Sequence, residues 1–390
     1  MGKRIGMEVS IAAAEAVKQA NVDVISAYPI TPQTHIVEHL SELVANGEMD
    51  AEFFCVESEH SALSVCVGAA ATGARTFTCT SSQGLALMSE ITYIASGLRL
   101  PILMILSNRT LSAPLSIWND HSDTMSIRDC GWIQFFVENG QEVYDHVFVS
   151  YRLAEDKKVL FPVIINMDGF ILSHVIEPIE LIQQEKIDQF LPPYHPVHRL
   201  DPDHPVTMGA FALPSIFAEA KKAQEEALRS SMPKIIETWK AFGDTTGRYY
   251  NPVETYKAED ADTLLVTMGS CGETASVAVD KMREAGRSVG LVKIRLWRPF
   301  PFDDLKKATC HAKQLVVIDR AMSVGACGPV ASEVKAALYG NDQRPSVYNF
   351  VAGISGRDVT PSDFVKMVDK AEIEIEEGNR EGYEIYGVRE

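Results

Sequence analysis

Residues able to hold a proton or grip an anion recur directly after short apolar runs. Thr31 follows "DVISAYP" at 23–29, and Glu57, Ser58, Glu59 and His60 follow "EFFCV" at 52–56. Ser82 and Gln83 follow "RTFTCTS" at 75–81, and Asn108 and Arg109 close the run that begins "PILMIL" at 101. In an open parallel sheet, ligands bind where the carboxyl ends of the strands converge. Acids, a permanent cation and several hydroxyl or amide groups are therefore expected on one rim. The planar fork of Arg109 suits a carboxylate or phosphate better than lysine would.

Each residue also has a plainer reading. Thr31 is a good N-cap for the helix that follows, and Pro32 suits a first helical position. Capping accounts for one proline of "YPITP" (28–32) but not for both Pro29 and Pro32. Glu59 can serve as a first-turn acid that satisfies the helix dipole. Its helix continues "HSALSVCVGAAATGA", almost all small or apolar, which predicts a buried element with a carboxylate at its mouth. A buried acid needs a specific partner, and this makes Glu59 a functional candidate. Arg109 is either half of a structural ion pair or a clamp for an anion. The loop after it, "TLSAPLSIWNDHSDTMSIRDCGW", carries Asp120, His121 and Asp123 but no third cluster of metal ligands, so an active-site lid or interface loop is expected. No metal site is assigned to this chain.

These residues need a frame, and the pattern supplies one. Helices over 8–20, 33–46 and 59–73 and from Gly84 alternate with the short runs above and with "FPVIINMD" at 161–168. Such alternation indicates a doubly wound α/β domain. Residues 191–207, "LPPYHPVHRLDPDHPVT", read as an extended surface arm despite His195, His198 and His204, and a helical stretch over 214–243 follows. From 261 the alternation resumes: strand "DTLLVTMGS", a helix, one strand through "SVGLVKIRLWRPFP", strand "QLVVIDRA" and another helix. This is a second, smaller α/β unit. Its turns "GSCGET" and "GACGPV" lack a full dinucleotide fingerprint and read as ordinary βα turns. The acidic tail "KAEIEIEEGNREGYEIYG" is expected to pack against a neighbour or stay solvated.

The bulk properties fit a large enzyme. At 390 residues, several domains are expected. A hydrophobic share of 46% with 23% charged residues disfavours disorder, and no apolar run is long enough to span a bilayer. A cytoplasmic location is expected. A formal charge of −17 argues against nucleic acid as a partner. The seven cysteines form no CxxC pair, so an iron–sulfur or zinc site built from this chain alone is not expected.

The stretches "YPITP", "ESEHSALSVCVGAAATGARTFTCTSSQGLALM" (57–88), "NRTLSAPLSIWNDHSD" (108–123) and "DGFILSH" (168–174) together resemble the alpha subunit of the 2-oxoacid:ferredoxin oxidoreductase family, in its pyruvate-oxidising form. "LVTMGS", "WRPFP" and "GISGRDVT" extend the resemblance through the second half. It implies a pyrimidine-side thiamine diphosphate domain with its arm over 1–230, a connecting segment over 231–259 and a transketolase C-terminal-like domain over 260–390. It implies that Glu59 matches the glutamate that hydrogen-bonds the aminopyrimidine ring. It further implies that Ser82 and Gln83 lie on the cofactor side, and that Thr31, Asn108 and Arg109 lie in the substrate pocket, with Arg109 on the carboxylate. The diphosphate side would carry a GDG motif holding Mg2+. Here only "MDG" at 167–169 and "GDT" at 243–245 occur, so a partner beta subunit is implied to hold diphosphate and metal. The resemblance also implies gamma and ferredoxin-like delta subunits, [4Fe-4S] clusters in those partners, coenzyme A as acyl acceptor and ferredoxin as electron acceptor. A branched-chain (2-oxoisovalerate) subunit, a lipoamide-linked dehydrogenase component and a non-catalytic assembly subunit are the competing readings.

Overall fold

Runs of wholly apolar strand residues have to be covered on both faces, and in the computed structural model they form the inner strands of two parallel sheets. The structure describes residues 4–341, 344–379 and 382–389. In chain order the strands are β1 (Arg4–Glu8), β2 (Val24–Ala27), β3 (Glu52–Cys55), β4 (Thr76–Thr80), β5 (Ile102–Asn108), β6 (Ile133–Phe136), β7 (Val163–Asp168) and β8 (Ile176–Glu180). They continue as β9 (Val253–Tyr256), β10 (Thr263–Met268), β11 (Val289–Ile294), β12 (Leu296–Arg298), β13 (Gln314–Asp319), β14 (Ser346–Val351) and β15 (Tyr383–Ile385). The first sheet has the order β12-β6-β7-β5-β4-β2-β3, and every pairing in it is parallel except that of β12. The second has the order β15-β14-β13-β10-β11-β9, with β9 antiparallel at its edge. Strands β4, β5, β7 and β10 are buried along their whole length, as their sequences require.

The chain runs outward from β2 to β3, then returns past β2 to β4. That reversal makes a switch point between β2 and β4, where a parallel sheet opens a crevice at its carboxyl end. The two strands pair over only Val24–Ile25 and Thr76–Phe77, so their carboxyl ends diverge. Thr31, Glu59 and Ser82 all follow strands at this opening.

Several expectations are refined. Helices Val9–Gln19, Thr34–Ala45, Glu59–Thr72 and Ser82–Gly97 lie within a residue or two of those read from the sequence. Arg4–Glu8, which precedes the first helix, is a strand paired with β8. The helical stretch 214–243 is two helices, Pro214–Arg229 and Met232–Thr246, broken at Ser230–Ser231 just before Pro233. The second carries Ile235, Trp239 and Phe242 into the first core, whereas only Leu228 of the first is buried. The single strand read through "SVGLVKIRLW" is two: at Arg295 the chain leaves the second sheet and enters the first as β12. Arg295 is buried there against Glu142 at 2.5 Å and Glu254 at 2.6 Å. Part of the acidic tail, β15, adds to β14 of its own sheet; Arg380 and Glu381 of that tail lie outside the described residues. His195, His198 and His204 are exposed along the extended arm. Among the described residues no helix is long and apolar enough to cross a membrane.

Candidate active site

The "YPITP" turn ends in a helix that starts only at Thr34, and Thr31 stays exposed outside it. The capping reading of Thr31 therefore fails. Gln33 locks the turn from beneath: it is fully buried, its Nε2 donates to the Tyr28 carbonyl at 2.9 Å, and its Oε1 accepts from the Cys79 thiol at 3.2 Å. Pro32 rests on Gly169 just after β7, where a Cβ would sit 2.6 Å from the proline ring. From the other side, Arg109 Nη1 donates to the Thr31 carbonyl at 2.9 Å. Thr31 and Arg109 thus form one unit, with the Thr31 side chain outward.

Glu59 opens its helix, whose N-cap Ser58 accepts from the Ser61 amide at 3.3 Å. The Glu59 side chain is 7% exposed, and among the described residues no group hydrogen-bonds its carboxylate. It lies over Gly84, where a Cβ would come within 2.7 Å of Glu59 Oε1 and 2.9 Å of its Cγ. Gly84 has no side chain because the carboxylate and Thr80 occupy that space. We expect Gly84→Ala to fold, since alanine favours a helix, while displacing the carboxylate. An ångström of misplacement is worth on the order of 10²-fold in rate, so turnover should fall by that order with the unfolding transition unchanged. No hydrogen bond joins Glu59 directly to Thr31 or Arg109.

Ser82 has a left-handed backbone, φ 47°. Its amide donates to Asp123 at 3.1 Å, and its hydroxyl lies 2.6 Å from both the Thr110 carbonyl and Gln83 Oε1. The half-buried Gln83 keeps an amide nitrogen with no partner among the described residues. Asn108 is fully buried and gives its amide to Asp123 at 3.0 Å, Thr124 at 2.8 Å and Asn166 at 3.3 Å. It lies beneath the rim rather than on it.

Two buried aspartates organise these groups. Asp123 takes the amides of Ser82 and Arg109 on one oxygen, and Asn108 and the Thr124 amide on the other. Burial pushes its carboxyl up to about 7, against four N–H donors that favour the charged form. Asp168, the last residue of β7, accepts from Asn119 at 2.9 Å and His121 at 2.7 Å. It also pairs with Arg320 at 2.9 Å and takes the Ser270 amide at 2.8 Å, both from the second half. Burial opposes its ionisation, but Arg320, His121 and Ser270 outweigh that and hold it well below the usual carboxylate range. The loop after Arg109 is therefore pinned at Asn119, His121 and Asp123, and its tip faces solvent, with Leu115 at 73% and Trp118 at 49% exposed. Trp118 stacks on Phe170 with ring centres 4.8 Å apart, which joins the "NRT" loop to "DGFILSH". Gln33, Gly84 and Asp168 had no assigned role in the sequence reading. In the second half, the carboxylate of Asp319 already caps the helix after "GACG" through the Val330 and Ala331 amides, leaving no phosphate cradle there.

Residues 15–240 match the model of the pyruvate flavodoxin/ferredoxin oxidoreductase thiamine diphosphate-binding domain. Residues 261–364 match pyruvate:ferredoxin oxidoreductase core domain II. Pyruvate synthase subunit PorA of Pyrococcus furiosus is 47% identical over 96% of this chain and 95% of its own length. The corresponding Thermotoga maritima subunit is 46% identical over 95% and 94%. Ketoisovalerate oxidoreductase subunit VorA of Pyrococcus abyssi is 43% identical over 94% and 93%. In fold, the chain is similar to 2-oxoglutarate:ferredoxin oxidoreductase from Magnetococcus marinus, solved with 2-oxoglutarate, coenzyme A and succinyl-CoA bound. The TM-score is 0.69 at 20% identity, covering 95% of this chain and 65% of that one. It is also similar to a split-gene transketolase, with a TM-score of 0.55 at 13% identity, over 94% of this chain and 98% of that one. With its domain matches in order and its relatives aligned almost end to end, this chain belongs to the pyruvate flavodoxin/ferredoxin oxidoreductase family.

Proposed function

We propose that the chain is the alpha-type subunit of a pyruvate:ferredoxin oxidoreductase and supplies the pyrimidine-side half of a thiamine diphosphate site. The observation that carries this reading is the unpartnered Glu59 carboxylate at the switch point, with Gly84 kept bare beneath it. A carboxylate so placed fits the ring nitrogen of an aminopyrimidine and otherwise costs free energy. When bound, thiamine diphosphate supplies a carbon nucleophile and a sink for the electron pair released on decarboxylation. Glu59 holds the ring's hydrogen bond and its proton; Gln83 presents its free amide nitrogen on the same side. Arg109 binds the 2-oxoacid carboxylate, and the outward Thr31 hydroxyl lies beside it. Asn108 contributes from below, through Asp123.

We assign diphosphate and Mg2+ to a beta-type partner, and the iron–sulfur clusters to a ferredoxin-like delta-type partner in a complex that also holds a gamma-type chain. Among the described residues no three His, Cys, Asp or Glu converge as metal ligands. Coenzyme A accepts the acyl group and ferredoxin the electrons. The packing of Ile235, Trp239 and Phe242 into the first core supports placing the boundary between the two units after that helix, near 250–260.

The test is dye or ferredoxin reduction by the anaerobically purified complex with coenzyme A, comparing pyruvate, 2-oxoisovalerate and 2-oxoglutarate. A preference for pyruvate supports the reading. A preference for 2-oxoisovalerate moves the chain to the branched-chain form. No reduction with any 2-oxoacid, in a complex with cofactor and clusters intact, overturns it.

A further inference from the structure

The second half of the chain grips the loop that orients Arg109. Arg109 Nε donates to the Ser116 carbonyl at 3.0 Å, and Nη1 to Thr31. These two bonds fix the guanidinium plane and leave Nη2 without a partner among the described residues, so the outer Nη1–Nη2 edge is free for a carboxylate. Ser116 sits on the loop tip, between the exposed Leu115 and Ile117. It is held from across the domain boundary: Ser355 Oγ donates to Ser116 Oγ at 2.6 Å, and the Trp118 amide donates to the same oxygen at 3.2 Å. The next residue, Gly356, donates its amide to the Asn119 carbonyl at 2.6 Å. Gly356 has φ 68°, and a Cβ there would lie 2.9 Å from the Trp118 Cβ. The "GISG" turn therefore closes on Ser116, Trp118 and Asn119, while Thr110 ties the base of the loop to the Trp118 carbonyl at 3.1 Å.

We propose that Ser355 and Gly356 are positioning residues for 2-oxoacid binding: by holding the loop tip at Ser116 and at Asn119, respectively, they set the plane of the Arg109 guanidinium, giving the second domain control over substrate affinity. This rests on the substrate role of Arg109 proposed above. A tip with both neighbours in solvent has little of its own to hold a carbonyl in place, and the loss of one contact from the second domain would let Ser116 and Arg109 move together.

The experiment uses the assembled complex and measures kcat and KM for pyruvate in Ser355→Ala, Ser116→Ala, the double variant and Arg109→Lys. Ser355→Ala is expected to raise KM about fivefold, the size of effect one net hydrogen bond carries, with kcat within about twofold of the parent. Ser116→Ala, which also strands the Trp118 amide, should raise KM at least as much, and the double variant should be no worse than Ser116→Ala, because Ser355→Ala removes only the bond the two serines share. Arg109→Lys, which loses the fork, should raise KM more. If Arg109→Lys raises KM while Ser355→Ala and Ser116→Ala leave it alone, the clamp is wrong and the role of Arg109 stands. If Arg109→Lys leaves KM unchanged, the substrate role itself fails, and the clamp with it. A fall in kcat or in yield of complex at constant KM would mark Ser355 as merely structural and overturn the proposal.

Discussion

Glu59→Gln should leave the complex assembled and nearly inactive. Glutamine keeps the shape that Gly84 and Thr80 accommodate, and Ser58 still caps the helix, so the frame has no reason to change. The substitution removes a buried, unpartnered carboxylate at the switch point that can hold and return a proton. Positioned acid–base groups contribute on the order of 10²- to 10⁴-fold, and a loss of that order is expected in turnover. Reduction kinetics with pyruvate, alongside gel filtration and bound-cofactor content, would show it. Turnover close to the parent's, in a complex with full cofactor content, would remove Glu59 from the chemistry and with it the main support for the proposed site.

The largest expected loss of stability is at Asp168. Asp168→Ala strands the buried guanidinium of Arg320 and deprives His121, Asn119 and Ser270 of their common acceptor. Breaking a buried pair by deleting one partner costs about 3–5 kcal/mol. Because these donors come from both halves of the chain, the interface between the two sheets should loosen first, seen as an earlier urea transition in tryptophan fluorescence. The pH dependence has a definite sign. The folded carboxyl titrates below its unfolded value, so its contribution is fully present above about pH 4 and is lost as pH falls through the acid range. The difference between parent and variant should therefore be largest near neutrality and shrink in acid. An undiminished gap at low pH would show that packing, rather than charge, accounts for it.

Much of this was legible because a parallel sheet leaves two marks: buried runs, and polar residues just past their ends. That rule picks out Thr31, Glu59 and Arg109 as candidates, and the family resemblance suggests their roles. What stayed hidden depends on distance through space. Gln33 follows Pro32 as any solvated helix start would, and it is buried because β2 and β4 diverge above it. The helical period over 214–243 runs on past Ser231, so the break near Pro233 carries little periodic signal. Equally, "LVKIRLW" alternates without a visible fault at Arg295, though its two ends belong to different sheets. Asn108 looked like a rim residue because it ends its strand; the loop from Asn119 to Thr124 folds back over it, and no local pattern announces that. The "GISG" turn was conspicuous as sequence but had no meaning until Ser116 lay against it.

The loop after Arg109 is fixed at its base by Asp123 and at its far side by Asp168, while Leu115, Ile117 and Trp118 meet solvent or a partner. A segment anchored in this way behaves as an interchangeable part. Only crown side chains that hold neither Arg109 nor the "GISG" turn, such as the exposed Leu115 and Ile117, can change without disturbing that anchorage.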